Sequence, residues 1–140
     1  MKLFRFSLML GSAVNMVFAV PALFAPRFLE LMFNVGTTDT TAWLRNVGLL
    51  LIIISTMYIA AWRDPFRYIF IAYLAIGGRF AAGCMFLVFV LFAGSPSGFG
   101  ILAANDLILS SVQAVLLYLV LRAGPARAAS GAGAASGIVP

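Results

Sequence analysis

Residues 42–62 read AWLRNVGLLLIIISTMYIAAW, an apolar run in which Arg45 is the only charged residue. A helix needs about 20 consecutive apolar residues to cross the hydrocarbon core of a bilayer, which is about 30 Å thick. Inside lipid the backbone must satisfy its own hydrogen bonds, so the run predicts a helix despite its β-branched residues. This stretch therefore indicates a membrane-spanning helix.

Three further apolar runs flank it, over residues 4–24, 66–93 and 101–121. Turn-forming residues separate them: Pro21 and Pro26 bracket the exit of the first run, Asp64-Pro65 follows the second, and residues 94–98 read GSPSG. The pattern predicts an all-α integral membrane bundle of four transmembrane helices in one domain, residues 1–122. Residues 123–140 are rich in Ala, Gly and Ser, which predicts a flexible cytoplasmic tail.

The composition excludes several classes of protein. The chain is 64% hydrophobic and 9% charged, whereas soluble domains carry about 25% charged residues. The net charge of +5 does not indicate nucleic-acid binding, because the cations stand at the ends of the apolar runs. There is no histidine, the commonest metal ligand and general base, and the single cysteine, Cys84, excludes an intrachain disulfide. No metal site is predicted.

The distribution of Lys and Arg predicts the orientation. One side of the membrane would carry six cations and the other only Arg27, so the positive-inside rule predicts that both termini are cytoplasmic. The predicted location is the inner membrane of the cell. A cleaved signal peptide ending near residues 19–25 is the alternative for the first run, but that run is long enough to span. The six cations are Lys2, Arg5, Arg63, Arg67, Arg122 and Arg127.

Polar residues inside the apolar runs carry most of the functional information. An arginine or aspartate at the centre of a membrane helix costs about 2.5–3.5 kcal/mol, so such groups usually face the bundle interior or a cavity. In the fourth run three polar residues recur at i, i+4 and i+7 and share one face. We predict an intramembrane ligand-binding cluster with these candidate residues: Asn15, Arg45, Asn46, Arg79, Asp106, Ser110 and Gln113.

Two interpretations of this cluster remain open. In the first, Arg45 and Arg79 against Asp106 leave a surplus of one positive charge, which suits an anionic or carbonyl-bearing ligand such as a lipid headgroup or a quinone. In the second, Asp106 pairs with one of the two arginines, and the cluster only sets the register of the helices.

Three short motifs resemble the small four-helix bacterial membrane proteins of the DoxX-like kind: Ala25-Pro26 after the first helix, Trp43-Leu44-Arg45-x-x-Gly48, and Gly78-Arg79. The resemblance covers residues 5–121. It implies a four-helix bundle, often acting beside redox or envelope proteins, and implies no catalytic residue. The chain is similar in size to small multidrug transporters, but those depend on a glutamate in the first helix, where this chain has Asn15.

The function predicted from these observations is non-catalytic. An accessory subunit would bind a membrane protein partner, a second copy of itself or a lipid-like molecule through the polar cluster, with membrane lipids around it and no nucleic acid. No cofactor is predicted, although a quinone or a bound lipid would suit the cluster. The alternatives are a small quinone-linked redox protein and, ranked last, an oligomeric small-molecule transporter.

Overall fold

The computed structural model describes residues 1–36 and 40–135, with side chains described as far as Ala123. All regular elements in this part of the chain are helices, as predicted. Four of them are long and apolar enough to cross a membrane: α1, α3, α4 and residues Gly98–Ala123 of α5. The five helices are α1 (Lys2–Phe24), α2 (Pro26–Phe33), α3 (Ala42–Arg63), α4 (Ile69–Phe92) and α5 (Gly98–Ala135).

The ends of the last two helices differ from the predicted ones. Helix α4 begins at Ile69 rather than at residue 66, because Asp64 Oδ1 accepts hydrogen bonds from the backbone N–H groups of Phe66 and Arg67 and holds a turn there. The α5 backbone begins at Gly98 and continues to residue 135, so most of the segment predicted as a flexible tail is helical. Residues 136–140 lie outside the described residues, and the flexibility of the tail stays a prediction.

The short helix α2 was not predicted. Pro21 lies inside α1 rather than at its exit, and the break comes at Ala25, where φ is −137°. Pro26 then opens α2, a position at which its missing N–H is not needed. The helix ends at Asn34 in the left-handed conformation (φ 48°), and the Asn34 carbonyl accepts a hydrogen bond from Gly98 N (3.3 Å). Helix α2 is thereby tied to the start of α5.

The four long helices form a ring in which each contacts two neighbours, in the order α1, α3, α4, α5. The closest pairs are α1 with α3 and α4 with α5, and each pair meets at a glycine. A Cβ atom on Gly48 would lie 2.9 Å from the Ala19 carbonyl oxygen, and one on Gly83 would lie 3.2 Å from that of Ala103. The ring places α1 and α4 diagonally across the bundle.

Apolar residues fill both ends of the bundle interior. One cluster contains Phe4, Leu8 and Leu117 and lies where α1 and α4 begin and α3 ends; we call this the basic end, because Lys2 and Arg63 stand there. The other cluster joins α1, α2 and α3 at the α2 end, through Ala22, Leu29 and Leu44. The interior polar residues lie between these two clusters.

Candidate functional site

Arg79 lies at the centre of the bundle and links three helices. Its side chain is 3% exposed. From α4, Nη1 donates to Asp106 Oδ1 on α5 (2.9 Å), while Nη2 donates to the Gly11 carbonyl (3.1 Å) and to Asn15 Oδ1 on α1. Because α1 is diagonally opposite α4, the arginine crosses the interior, and its long stem makes this reach possible. One guanidinium therefore fixes the mutual position of α1, α4 and α5.

Gln113 continues the polar region toward the basic end. Its side chain is completely buried, and Nε2 donates to the Ser7 carbonyl on α1 (3.0 Å). We call Asn15, Arg79, Asp106 and Gln113 the central polar cluster. Asp106 and Gln113 therefore turn toward the interior together, as their spacing predicted, whereas the buried hydroxyl of Ser110 donates to the Leu107 carbonyl of its own helix (3.1 Å).

Gly11 makes room for this cluster, although sequence reasoning did not select it. A Cβ atom at this position would lie 2.8 Å from Gln113 Nε2, 3.5 Å from Arg79 Nη2 and 3.6 Å from Tyr58 Cε2. The glycine allows Gln113 Nε2 to approach α1 more closely than a Cβ atom would permit, whereas the Arg79 and Tyr58 atoms lie at ordinary contact distance. Tyr58 was also missed; it is buried on α3, and its hydroxyl donates to the Ala75 carbonyl (3.4 Å).

Three buried polar atoms near the cluster have no hydrogen-bond partner among the described residues: Arg79 Nε, Gln113 Oε1 and Ser55 Oγ. Buried polar groups are nearly always paired with protein, water or a ligand, and leaving one unpaired costs about 1–3 kcal/mol. The three atoms include a donor, an acceptor and a hydroxyl that can act as either. The interior thus contains three polar atoms whose hydrogen-bonding capacity is unused among the described residues.

The structure does not bring Arg45 and Asn46 to the cluster. Both are exposed near the start of α3, because Leu44 and Gly48 face α1 and the helix turns Arg45 and Asn46 outward. Arg45 instead lines a surface pocket of about 530 Å³ at the α2 end, with Phe24, Arg27 and Phe28. The central cluster therefore holds one arginine and one aspartate, and the surplus positive charge predicted for it is absent.

Other candidate chemistry is sparse in the described part of the chain. Cys84 is half-buried on α4 and is a free thiol. Across residues 1–36 and 40–135, no group of three or more Cys, Asp or Glu side chains lies together as a metal site would require. The arrangement that remains is a buried ion pair reinforced by amide and carbonyl groups.

Comparison with known proteins found no relative of this chain. No protein-family model, curated protein or solved structure matches the chain. The likeness to DoxX-like proteins thus stays a resemblance carried by three short motifs.

Proposed function

We propose that the chain is a non-catalytic, multi-pass protein of the cytoplasmic (inner) membrane that serves as an accessory subunit to a membrane partner. Large apolar side chains such as Phe70, Leu74 and Leu91 are more than half exposed, which suits a lipid environment. Trp43 and Trp62 are exposed near the two ends of α3, about 28 Å apart along its axis. That distance fits interfacial tryptophans on either side of a hydrocarbon core of about 30 Å.

The charges at the basic end of the bundle support the proposed orientation. The basic end carries five cations in the described residues and one acid, Asp64. The positive-inside rule favours this end as the cytoplasmic one. The five cations are Lys2, Arg5, Arg63, Arg67 and Arg122.

The position of Asp106 is the observation that carries the accessory role. Its Oδ1 atom binds Arg79 inside the bundle, yet its side chain is 18% exposed, and the half-buried Asn105 lies beside it. Asp106 is about 12 Å along α5 from Gly98, a depth at which lipid offers no hydrogen bonds. Asn105 Nδ2 donates to Asp106 Oδ1 (3.4 Å), which leaves Asp106 Oδ2 and Asn105 Oδ1 without a donor among the described residues. A partner helix with a donor at this depth would bind these oxygens, so the proposed partner contact lies here.

A quinone or another lipid-like molecule with a carbonyl oxygen is the second candidate ligand. The unpaired, buried Arg79 Nε would donate a hydrogen bond to such a carbonyl oxygen. Gln113 Oε1 would accept one from a hydroxyl group of the ligand. This alternative corresponds to a small quinone-linked redox protein.

Affinity purification of the tagged full chain in a mild detergent tests the accessory role. We expect a stoichiometric membrane protein to co-purify with the wild type and to be lost in Asn105→Leu, which alters the surface beside Asp106 without removing the Arg79–Asp106 pair. The matched control is Thr56→Val on the exposed side of α3, where the hydroxyl binds only the Ile52 carbonyl of its own helix (2.9 Å). Equal capture by the wild type and both variants, or no partner at all, would overturn the proposal.

Two further measurements separate the remaining parts of the proposal. Reporter fusions after residue 140 and within residues 34–41 should report cytoplasmic and external locations, respectively; the reverse result would overturn the orientation. Native mass spectrometry should detect bound quinone or lipid that disappears in Arg79→Ala if the second candidate is correct, and unchanged binding would exclude it.

A further inference from the structure

A groove at the basic end lies between the beginning of α1 and the last described side chains of α5. Its volume is about 550 Å³, and one wall is a single face of α5 at i, i+3 and i+4. The other wall comes from α1 and from the turn before α4. Its main lining residues are apolar: Leu3, Phe4, Phe66, Leu116, Leu119 and Val120. An apolar groove of this volume at the end of the bundle suits a hydrocarbon chain.

Two exposed cations are close in the chain to residues that line this groove. Lys2 lies next to Leu3 in the chain, Arg122 lies two residues beyond Val120, and both are exposed with no hydrogen bond or ion pair to the described residues. Two neighbouring arginines are engaged: Arg5 Nη2 donates to the Arg63 carbonyl (3.0 Å), and Arg67 stacks 5.6 Å from the Tyr68 ring centroid. Lys2 and Arg122 are therefore available to an external anion.

The nearby acid does not neutralise them. Asp64 Oδ1 is bound by the backbone N–H groups of Phe66 and Arg67 (3.2 and 3.1 Å), and the carboxylate forms no ion pair with Lys2 or Arg122. The described part of the basic end thus combines an apolar groove with two cations, Lys2 and Arg122, whose charges no acid neutralises. An anionic phospholipid has the complementary pattern, with acyl chains on one side of a negatively charged phosphate.

We propose that the groove binds one anionic phospholipid, with an acyl chain along Leu3, Phe66 and Leu119 and the phosphate held by Lys2 and Arg122. The inference rests on the proposed membrane location but not on the accessory role or on the central cluster. The apolar walls accommodate an acyl chain, and the two cations contribute the preference for a negative headgroup. The lipid would occupy the leaflet at the basic end.

Competition between lipids tests this site. The purified full chain in mild detergent is titrated with dioleoyl phosphatidylglycerol or dioleoyl phosphatidylcholine, and bound lipid is counted by native mass spectrometry. We expect tighter binding of the anionic lipid. The double variant Lys2→Gln, Arg122→Gln should bind it about 30-fold more weakly, the change that corresponds to about 1 kcal/mol for each cation. Phosphatidylcholine binding should stay unchanged.

Three controls make the result decisive. Arg45→Gln removes an exposed cation at the α2 end and should leave lipid preference intact, whereas Arg27 is kept because it pairs with the buried Glu30 (2.8 Å). A loss as large as that of Lys2→Gln or Arg122→Gln alone would mean that net charge alone attracts the lipid and would overturn the site. Leu119→Trp fills the groove and should weaken binding of both lipids. Glycerol phosphate, which lacks acyl chains, should not displace the bound lipid, and displacement would overturn the role of the groove.

Flotation with phosphatidylcholine vesicles separates this inference from the proposed function. If the chain does not float with vesicles, the membrane location fails and the lipid site fails with it. If it floats but binds the two lipids equally, only the lipid site is overturned. Circular dichroism of each variant shows whether the helices remain formed.

Discussion

The central polar cluster and the basic end both contain an arginine, but one arginine is buried and paired and the other is exposed and unpaired among the described residues. In the centre, Arg79 is buried and its two Nη atoms bind Asp106, Asn15 and the Gly11 carbonyl. At the basic end, Arg122 is exposed and has no partner among the described residues. A buried charge is tolerated only when it is paired, whereas an exposed charge loses little by staying unpaired. The centre therefore specifies the arrangement of the helices, and the basic end is available for contact with the surroundings.

Removing the acid from the central ion pair should have the largest effect. Asp106→Ala leaves the Arg79 guanidinium buried without its counter-charge, and we expect it to lower the free energy of unfolding in detergent by about 3–5 kcal/mol. Denaturant titration followed by circular dichroism measures the change. The double variant Arg79→Met, Asp106→Ala removes both charges and should cost much less than the sum of the two single variants. Additive losses would contradict the pairing.

Filling the space at Gly11 should have the next largest effect. In Gly11→Ala the new Cβ would meet Gln113 Nε2, which would have to give up its hydrogen bond to the Ser7 carbonyl. We expect a loss of about 1–2 kcal/mol, after the better helix propensity of alanine is subtracted. The matched control is Gly77→Ala on the open side of α4, where a Cβ meets nothing within 4 Å. That variant should be neutral or stabilising, and a loss equal to that of Gly11→Ala would contradict the close packing.

Replacing Gln113 should have a smaller effect and shows whether its unpaired oxygen matters. Gln113→Leu removes one hydrogen bond to the Ser7 carbonyl but also removes the buried, unpaired Oε1. These two contributions oppose each other, so we expect a change within about 1 kcal/mol in either direction. A loss above about 2 kcal/mol would indicate that Oε1 is bound to a water molecule or a ligand in solution.

Neutralising the cations at the basic end should have the smallest effect on folding. Lys2→Gln with Arg122→Gln removes two exposed charges that make no ion pair with the described residues, so the free energy of unfolding should change by less than about 0.5 kcal/mol. The same denaturant titration measures it. A large loss would show that these cations stabilise the fold, and the contrast between the two regions would then disappear.

Much of the central cluster was predictable from residue type alone. Asn15, Arg79, Asp106 and Gln113 are polar residues in long apolar runs, and in helices of this kind such residues usually face the bundle interior. Gly11 was missed, since glycines are frequent in membrane helices and only the neighbours of this one reveal its role.

The errors involve helix rotation and short elements. Arg45 and Asn46 were assigned to the interior, yet the contact of Gly48 with the Ala19 carbonyl rotates α3 so that both face outward. This rotation depends on the surface of α1 against which α3 packs, and the sequence of α3 alone gives no information about that surface. Helix α2 was missed because it has only eight residues and buries Leu29 while exposing Leu31, so it never forms a long apolar run.

The number and approximate limits of the four long apolar helical segments were determined by the sequence itself, because hydropathy is summed along one continuous segment and needs no knowledge of neighbours. The identity of the Arg79 partners was decided only by the tertiary structure. From the sequence, either Arg45 or Arg79 could have paired with Asp106. In the structure Arg79 forms the pair, because its side chain reaches from α4 to both α5 and α1. Which arginine pairs with Asp106 depends on the distances between helices, and these distances are set only when the helices pack together.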